Sequence, residues 1–297
     1  MSVNRSQPAR IAKSAILAFS LLAAGCSQSH PLTVGSKNFT EQIVLGEILA
    51  QQLERRLGVK VDRKLDLGGT LLAQQALVNG EIDLYPEYTG TALTAVLKLP
   101  PSSDAPAVLD RVRAEYRKRW RLTWLDPLGF NNTFAMVVRG ADARSHGIET
   151  LTDAARRKQG WTLGVGYEFL QRPDGLAGLL QTYHLPLAGS PKSMDLGLLY
   201  TALQQKQVDM AAANATDGML SVLDVKVLDD DRRYFPPYQA AVIVRDASLS
   251  AHPGMRAALD QLAGKISAAA MRNLNYQLDG KHRPVAQVAR EWLATIP

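Results

Sequence analysis

From residue 32 onward, apolar and polar positions follow two alternating periods, and the switches between them mark the elements. Leu32-Thr33-Val34-Gly35 reads as a short strand. Across Thr40–Leu57 the apolar residues Ile43, Val44, Ile48, Leu49 and Leu53 recur at helical spacing, with Asn38 or Thr40 as the expected cap. Residues 59–65 return as a strand, Gly68-Gly69-Thr70 turns the chain into a helix through Leu77, and residues 82–85 form a third strand. That order is a parallel α/β unit. A comparable order recurs later, with strands at 161–165 and 208–212 around helices at 175–183 and 196–205, so two α/β lobes are predicted. Residues 76–84 and 202–210 also echo each other as helix, tight turn and strand, ending in Ile82-Asp83-Leu84 and Val208-Asp209-Met210. Ligands in open α/β sheets bind beyond the carboxyl ends of strands. The segments after Leu84 and after Met210 are therefore expected to face each other across a cleft.

The first 31 residues follow a different pattern. Residues 1–13 are polar and cationic, residues 15–24 are almost wholly apolar, and Ala23-Ala24-Gly25 leads into Cys26. This is the order of a secretory signal over residues 1–25. Its apolar stretch would be roughly 15 Å long as a helix, about half of what a bilayer core requires. The only cysteine of the chain falls where cleavage would make it the new N-terminus. The site resembles the lipobox of bacterial lipoproteins, with Ala23 where leucine is more usual, and Cys26 is the expected lipid-bearing residue. A plain signal peptide with a chance cysteine is the alternative. Residues 26–31 then form a tether, and without a second cysteine no intramolecular disulfide exists.

Composition narrows the class further. With 46% hydrophobic and 21% charged residues, the chain is neither collagenous, nor disordered, nor a multi-span membrane protein. The net charge is +6, but Arg5, Arg10 and Lys13 in the leader supply half of it. Residues 111–121 are a basic run read as a solvated helix face, so nucleic acid is not an expected partner.

No nucleophile elbow, zinc-helix motif or Walker sequence is present. His30, His146, His184, His252 and His282 have none of the spacings that place two imidazoles on one metal, so no metal or other cofactor is expected. Asp83 and Glu87 flank a strand end and are the one carboxylate pair available for acid and base work, with a structural role as the competing reading. What accumulates instead is aromatic residues beside Gly, Pro and Asn: residues 85–91, 130–134 and 234–238. Read as loops, they suit either inter-lobe packing or a site for a large, weakly hydrated cation, which ring faces attract.

Five ordered motifs carry a resemblance over essentially the whole mature chain. They are Gly35-Ser36-Lys37-Asn38-Phe39-Thr40-Glu41-Gln42, Leu67-Gly68-Gly69-Thr70, Tyr85-Pro86-Glu87-Tyr88-Thr89-Gly90-Thr91, Arg172-Pro173-Asp174-Gly175-Leu176, and Leu228-Asp229-Asp230-Asp231 with Pro236-Pro237-Tyr238. Leu274-Asn275-Tyr276 and the helix that follows agree with them. Together they resemble the glycine betaine, carnitine and choline binding proteins of osmoprotectant ABC importers. The resemblance implies a two-lobed periplasmic-binding-protein fold of type II, a Venus flytrap joined by two crossover strands and closing on ligand. It places residues 32–131 with 238–297 in one lobe and 132–237 in the other.

The family holds a quaternary ammonium head in an aromatic box and a carboxylate tail by cationic and hydroxyl donors. Carried over by motif, Tyr88 and Tyr238 match box tyrosines, Lys37 and Arg172 the tail-binding cations, and Thr91 a hydroxyl donor. Asn132 stands where a backbone contact to the cation is made. Two positions depart from the pattern: Phe134 keeps a ring without its hydroxyl, and Asn214 replaces a box tyrosine, leaving a three-sided box. The resemblance implies an extracytoplasmic, lipid-anchored monomer without enzymatic activity, passing a quaternary amine or zwitterion to an ABC permease with its ATPase. Asn214 opens a choice toward a less methylated amine or an amino acid. A ligand-sensing partner of a membrane receptor, and an enzyme using Asp83 and Glu87, are the competing readings.

Overall fold

The computed structural model describes residues 1–2 and 31–296. Residues 3–30, which hold the rest of the predicted signal, Cys26 and all of the tether but Pro31, lie outside the described residues. The chain first lays down β1 (Leu32–Gly35), β2 (Val61–Lys64), β3 (Leu84–Tyr88) and β4 (Leu122–Trp124). It then builds β5 (Phe134–Arg139), β6 (Leu163–Val165), β7 (Lys192–Ser193), β8 (Met210–Asn214) and β9 (Val225–Val227), and returns as β10 (Ala240–Arg245). Two five-stranded sheets result, ordered β2-β1-β3-β10-β4 and β7-β6-β8-β5-β9.

Each sheet is the predicted parallel unit with antiparallel strands added. β1 runs parallel to β2 in the register Leu32↔Val61 to Gly35↔Lys64 and meets β3 at Val34↔Leu84, while β10 is antiparallel to β3 and β4. In the second sheet β6 is parallel to β7 and β8, and β5 is antiparallel to β8 and β9. Helices cover the sheets, so the central strands read as continuous apolar runs rather than alternating ones. Ala240 to Val244 are all buried, for example.

The echo between the lobes holds in detail. The helix Thr70–Asn79 ends on Gly80 in the left-handed conformation at φ 79°, and its counterpart turns on Lys206 at φ 58°. Glycine adopts that conformation without strain and lysine does not, so only the first copy is an unforced turn.

Two local expectations are corrected. The helix Thr40–Leu57 starts on an extended Phe39 with no side-chain cap, because the Thr40 hydroxyl bonds Asp279 at 2.6 Å instead. The third strand is not residues 82–85 but Leu84–Tyr88. Asp83 is held outside it, its carboxylate accepting from the Thr33 N–H at 2.8 Å and the Ser248 hydroxyl at 2.5 Å. The strand then continues through Pro86, which faces Val242 in the β10 register, because β1 pairs with β3 only at Leu84 and asks no donor of the proline. Tyr85 and Tyr88 therefore lie in a strand rather than a loop. The basic run 111–121 falls on the helix Ala105–Trp120, of which only Val108, Val112 and Tyr116 are buried.

The chain crosses between the sheets twice, over residues 125–133 and 228–239. The crossings touch at an antiparallel bridge, Asn131↔Gln239, beside the bonds Asn132 N–H to Tyr238 O at 3.0 Å and Ala240 N–H to Phe130 O at 3.2 Å. Among the described residues no helix is long and apolar enough to cross a membrane.

Candidate functional site

A cavity of ≈ 940 Å³ opens between the two sheets, at the ends of β3 and β8 that the echo picks out. Lys37, Tyr88, Thr91, Asn132, Phe134, Arg172, Asn214 and Tyr238 all line it. The strand order explains why. Lys37 follows β1, Tyr88 ends β3, Asn214 ends β8, and Phe134 begins β5 directly opposite Asn214 in the register. Asn132 and Tyr238 stand where the crossings meet.

The rings form two groups. Phe134 meets Tyr238 edge to face at 5.6 Å and Phe169 at 4.9 Å, and Tyr88 stacks on Phe39 at 6.4 Å. Phe39 and Phe169 belong to the cavity wall although the sequence reading did not single them out. Tyr85 does not reach the cavity; three positions before Tyr88 on a strand, it points to the opposite face, and its hydroxyl donates to Glu87 at 3.1 Å.

The two predicted tail cations arrive already paired. Lys37 is 2% exposed and its ammonium donates to Glu87 at 2.6 Å, while standing 4.8 Å from the Tyr88 ring centroid. Arg172 forks onto Asp174, Nε to Oδ1 at 2.9 Å and Nη2 to Oδ2 at 2.6 Å, and the Tyr238 hydroxyl donates to the same carboxylate at 2.5 Å. Burial works against the charge on both partners, and the pairing reverses it: the guanidinium is held above its ordinary value and Asp174 below its own. The Nη1 edge of Arg172 is held less tightly than the fork: it donates to the Thr91 hydroxyl at 2.9 Å across the cleft and stands 3.6 Å from the Glu168 carboxylate. The Phe134 and Tyr238 rings lie 5.1 and 5.5 Å from this guanidinium.

Carboxylates make up the rest of the charge on the wall. Glu168 accepts from the Thr70 N–H at 2.6 Å and the Thr70 hydroxyl at 3.1 Å; burial would raise it, but the Lys37 charge and the Thr70 bonds hold it below the usual range. Asp217 accepts from the Tyr200 hydroxyl and the Asn214 N–H, both at 3.0 Å, yet burial pushes it up to about 7. Glu41 is buried and raised by that burial, against four hydrogen bonds. Asp195, Asp279 and the exposed His282 complete the rim. With Lys37 and Arg172 neutralised by Glu87 and Asp174, the wall is acidic, which favours a cationic ligand whose charge rings can face.

The competing chemistry is not assembled. Asp83 is tied to Thr33 and Ser248, whereas Glu87 is buried on Lys37 and Tyr85, so the two serve separate networks. Among the described residues no group of three or more His, Cys, Asp or Glu side chains is placed to hold a metal.

The chain is similar to known proteins over nearly its whole described length. A family model described as the substrate binding domain of ABC-type glycine betaine transport systems matches residues 30–295. A glycine-betaine-binding protein of Pseudomonas aeruginosa is 36% identical over 283 residues, covering 92% of this chain and 90% of its own. The carnitine transport binding protein OpuCC of Listeria monocytogenes is 33% identical over 276 residues, 92% of this chain and 89% of its own. A crystal structure titled glycine betaine/carnitine/choline ABC transporter superposes with a TM-score of 0.76 at 31% identity, covering 89% of this chain and 98% of that one.

Proposed function

The chain belongs to the family of substrate-binding domains of ABC-type glycine betaine transport systems, and from that premise we propose that its cavity takes a quaternary amine or related zwitterion and presents it to an ABC permease. As a solute-binding component of such an importer it works outside the cytoplasm. The observation that carries the ligand reading is that Phe134 with Tyr238, and Tyr88 apart from them, line one cavity with an acidic wall whose own cations are already paired. A trimethylammonium group has no N–H to donate and is held by ring faces, each worth roughly 0.5–2 kcal/mol. A carboxylate tail would enter at the Arg172 Nη1 edge and the Thr91 hydroxyl, where a charge-assisted bond forms in a water-poor site.

In this reading residues 32–131 with 238–297 form one lobe and 132–237 the other, and the protein acts as a monomer. Cys26 carries the lipid that keeps it at a membrane surface, since each buried methylene contributes roughly 0.8 kcal/mol. Asn214 favours one further reading, that a less methylated amine is preferred, because an amide stands where a ring would close the box.

A thermal-shift screen against glycine betaine, carnitine, choline, dimethylglycine and common amino acids tests this. Ligand at about a hundred times its dissociation constant adds roughly 2.7 kcal/mol to the folded state. For a chain of this size that is a rise of roughly 5–10 °C in melting temperature. No rise with any methylated amine refutes the ligand reading.

A further inference from the structure

The helix Thr70–Asn79 meets the cavity at an N-terminus that its own segment does not cap. Its cap residue is Gly69, which has no side chain to offer, and its first turn holds no acid. The cap comes from the other sheet. Glu168, on the short helix Tyr167–Gln171 that follows β6, accepts from the Thr70 N–H at 2.6 Å through Oε1 and from the Thr70 hydroxyl at 3.1 Å through Oε2. Unpaired N–H groups and the positive end of the helix dipole both favour a carboxylate there. Gly69 makes the approach possible, since a Cβ at that position would stand 2.9 Å from Glu168 Oε1.

The same carboxylate reaches toward both cations that the motifs assign to a ligand's tail. Lys37 Nζ donates to the Thr70 hydroxyl at 3.5 Å, and that hydroxyl in turn donates to Glu168. Arg172 Nη1, whose bond to Thr91 marks where a tail enters, stands 3.6 Å from Glu168 Oε2, beyond hydrogen-bond distance but well within charge attraction. The Lys37 charge and the Thr70 bonds keep Glu168 ionised at neutral pH. Glu87 and Asp174 are fully buried on their cations, whereas the Glu168 side chain is 41% exposed and lines the cavity, open to whatever occupies it.

We propose that Glu168 is a specificity-determining residue, a resident carboxylate at the tail end of the cavity against which a ligand's own carboxylate must bind. This rests on the amine reading of the cavity and deepens it. A tail that settles on Arg172 Nη1 and Thr91 brings a second negative charge beside the first, and two carboxylates at one guanidinium edge repel at close range. A ligand that ends in a neutral hydroxyl meets no such repulsion, and its ammonium head gains from the anion in the wall. Glu168 therefore acts in opposite directions on the two ligand types, weakening zwitterions and strengthening plain cations.

Glycine betaine and choline are the probes, since both carry a trimethylammonium head and they differ in ending as a carboxylate or a hydroxyl. Calorimetry on the wild-type protein and on Glu168→Gln, with circular dichroism confirming the fold, reads both affinities. Glu168→Gln keeps an acceptor for the Thr70 N–H while losing the charge. Glycine betaine is expected to bind it more tightly and choline more weakly, changing the ratio of the two affinities by about tenfold. Glu168→Ala is expected to shift each ligand in the same sense, showing that the charge and not the new amide NH₂ is responsible. A general disturbance of the cavity would instead weaken both ligands together. A ratio that stays within about twofold of wild type in both folded variants, or two affinities that move the same way, would overturn the proposal. Where only one probe binds the wild-type protein, its own direction of change decides. If neither probe binds any of the three proteins, the amine reading falls and takes the proposal with it, a result separable from binding with an unchanged ratio.

Discussion

Removing Arg172 is the sharpest test of how the cavity wall is held together, because the structure gives this side chain a job other than ligand binding. Asp174 is fully buried and its carboxylate is met by the guanidinium fork and the Tyr238 hydroxyl. Arg172→Ala leaves that charge in place with one neutral donor. Breaking a buried pair from one side costs about 3–5 kcal/mol, chiefly the penalty of the stranded charge. For a chain of this size each kcal/mol is worth roughly 2–4 °C, so ligand-free protein should melt about 10 °C lower. Removing both charges, Arg172→Met with Asp174→Asn, strands no charge. It forfeits the bonds to Thr91 and between the partners and leaves the NH₂ of the new amide unpaired, about 1 kcal/mol each, and should recover part of the loss. Thermal unfolding of the wild type, both single variants and the double variant at neutral pH gives the cycle. A drop of less than about 3 °C for Arg172→Ala, or a double variant no better than the worse single one, would refute the argument. Arg172 would then be a free ligand-binding cation, as the motif alone suggests.

Asp217 gives a pH dependence of definite sign. Burial, helped by the charges on Glu41 and Asp279 and opposed by the Asn214 and Tyr200 bonds, puts its folded-state value at about 7 against an ordinary 3.8. The ligand-free fold therefore gains stability from this group as pH falls through 7 toward 4, while affinity for a cation falls over the upper part of that window as the carboxylate is neutralised. Asp217→Asn should remove both trends, and a wild-type-minus-variant difference in melting temperature that is flat between pH 8 and pH 5 would count against the assignment. At Gly90 a Cβ would stand 2.7 Å from the Pro237 carbonyl oxygen and 2.8 Å from the Tyr238 ring. Gly90→Ala is thus expected to displace that ring and weaken cation binding by roughly tenfold, the loss of about one aromatic face; an affinity within twofold of wild type would show that Tyr238 does not face the ligand.

Much of this was legible in the chain because periodicity and motif report the same thing. The helix Thr40–Leu57 and β1 follow their apolar spacing to the residue, and the five residues carried over by motif line one cavity together with Asn132, Phe134 and Asn214. Where the reading failed, tertiary partners decided. Phe39 occupies the cap position because Thr40 is drawn to Asp279, a contact 239 residues away that no local signal records. Pro86 argued for a loop, and a strand survives there because β1 makes no demand on it. Glu41, Phe39 and Asn275 were in view inside Gly35-Ser36-Lys37-Asn38-Phe39-Thr40-Glu41-Gln42 and Leu274-Asn275-Tyr276. Their role was not, because it depends on the donors of four separate segments meeting at one carboxylate.

The same pairing changes what closure asks of a ligand. Contacts already span the cleft without one: Arg172 to Thr91, Glu168 to Thr70 and Thr216 to Glu41. A ligand therefore need not supply the first link between the sheets. It needs to bind the joined state better than the separated one, since only that difference shifts the population. A carboxylate entering between Arg172 and Thr91 does this by replacing a neutral hydroxyl acceptor with a charged one, roughly doubling the strength of the guanidinium bond in a site where water is scarce. A ligand without a tail leaves that bond as it is and must draw its preference for the joined state from Phe134 and Tyr238 alone. Zwitterions should consequently favour the closed cleft more strongly than choline does, even where the two fill the rings equally well.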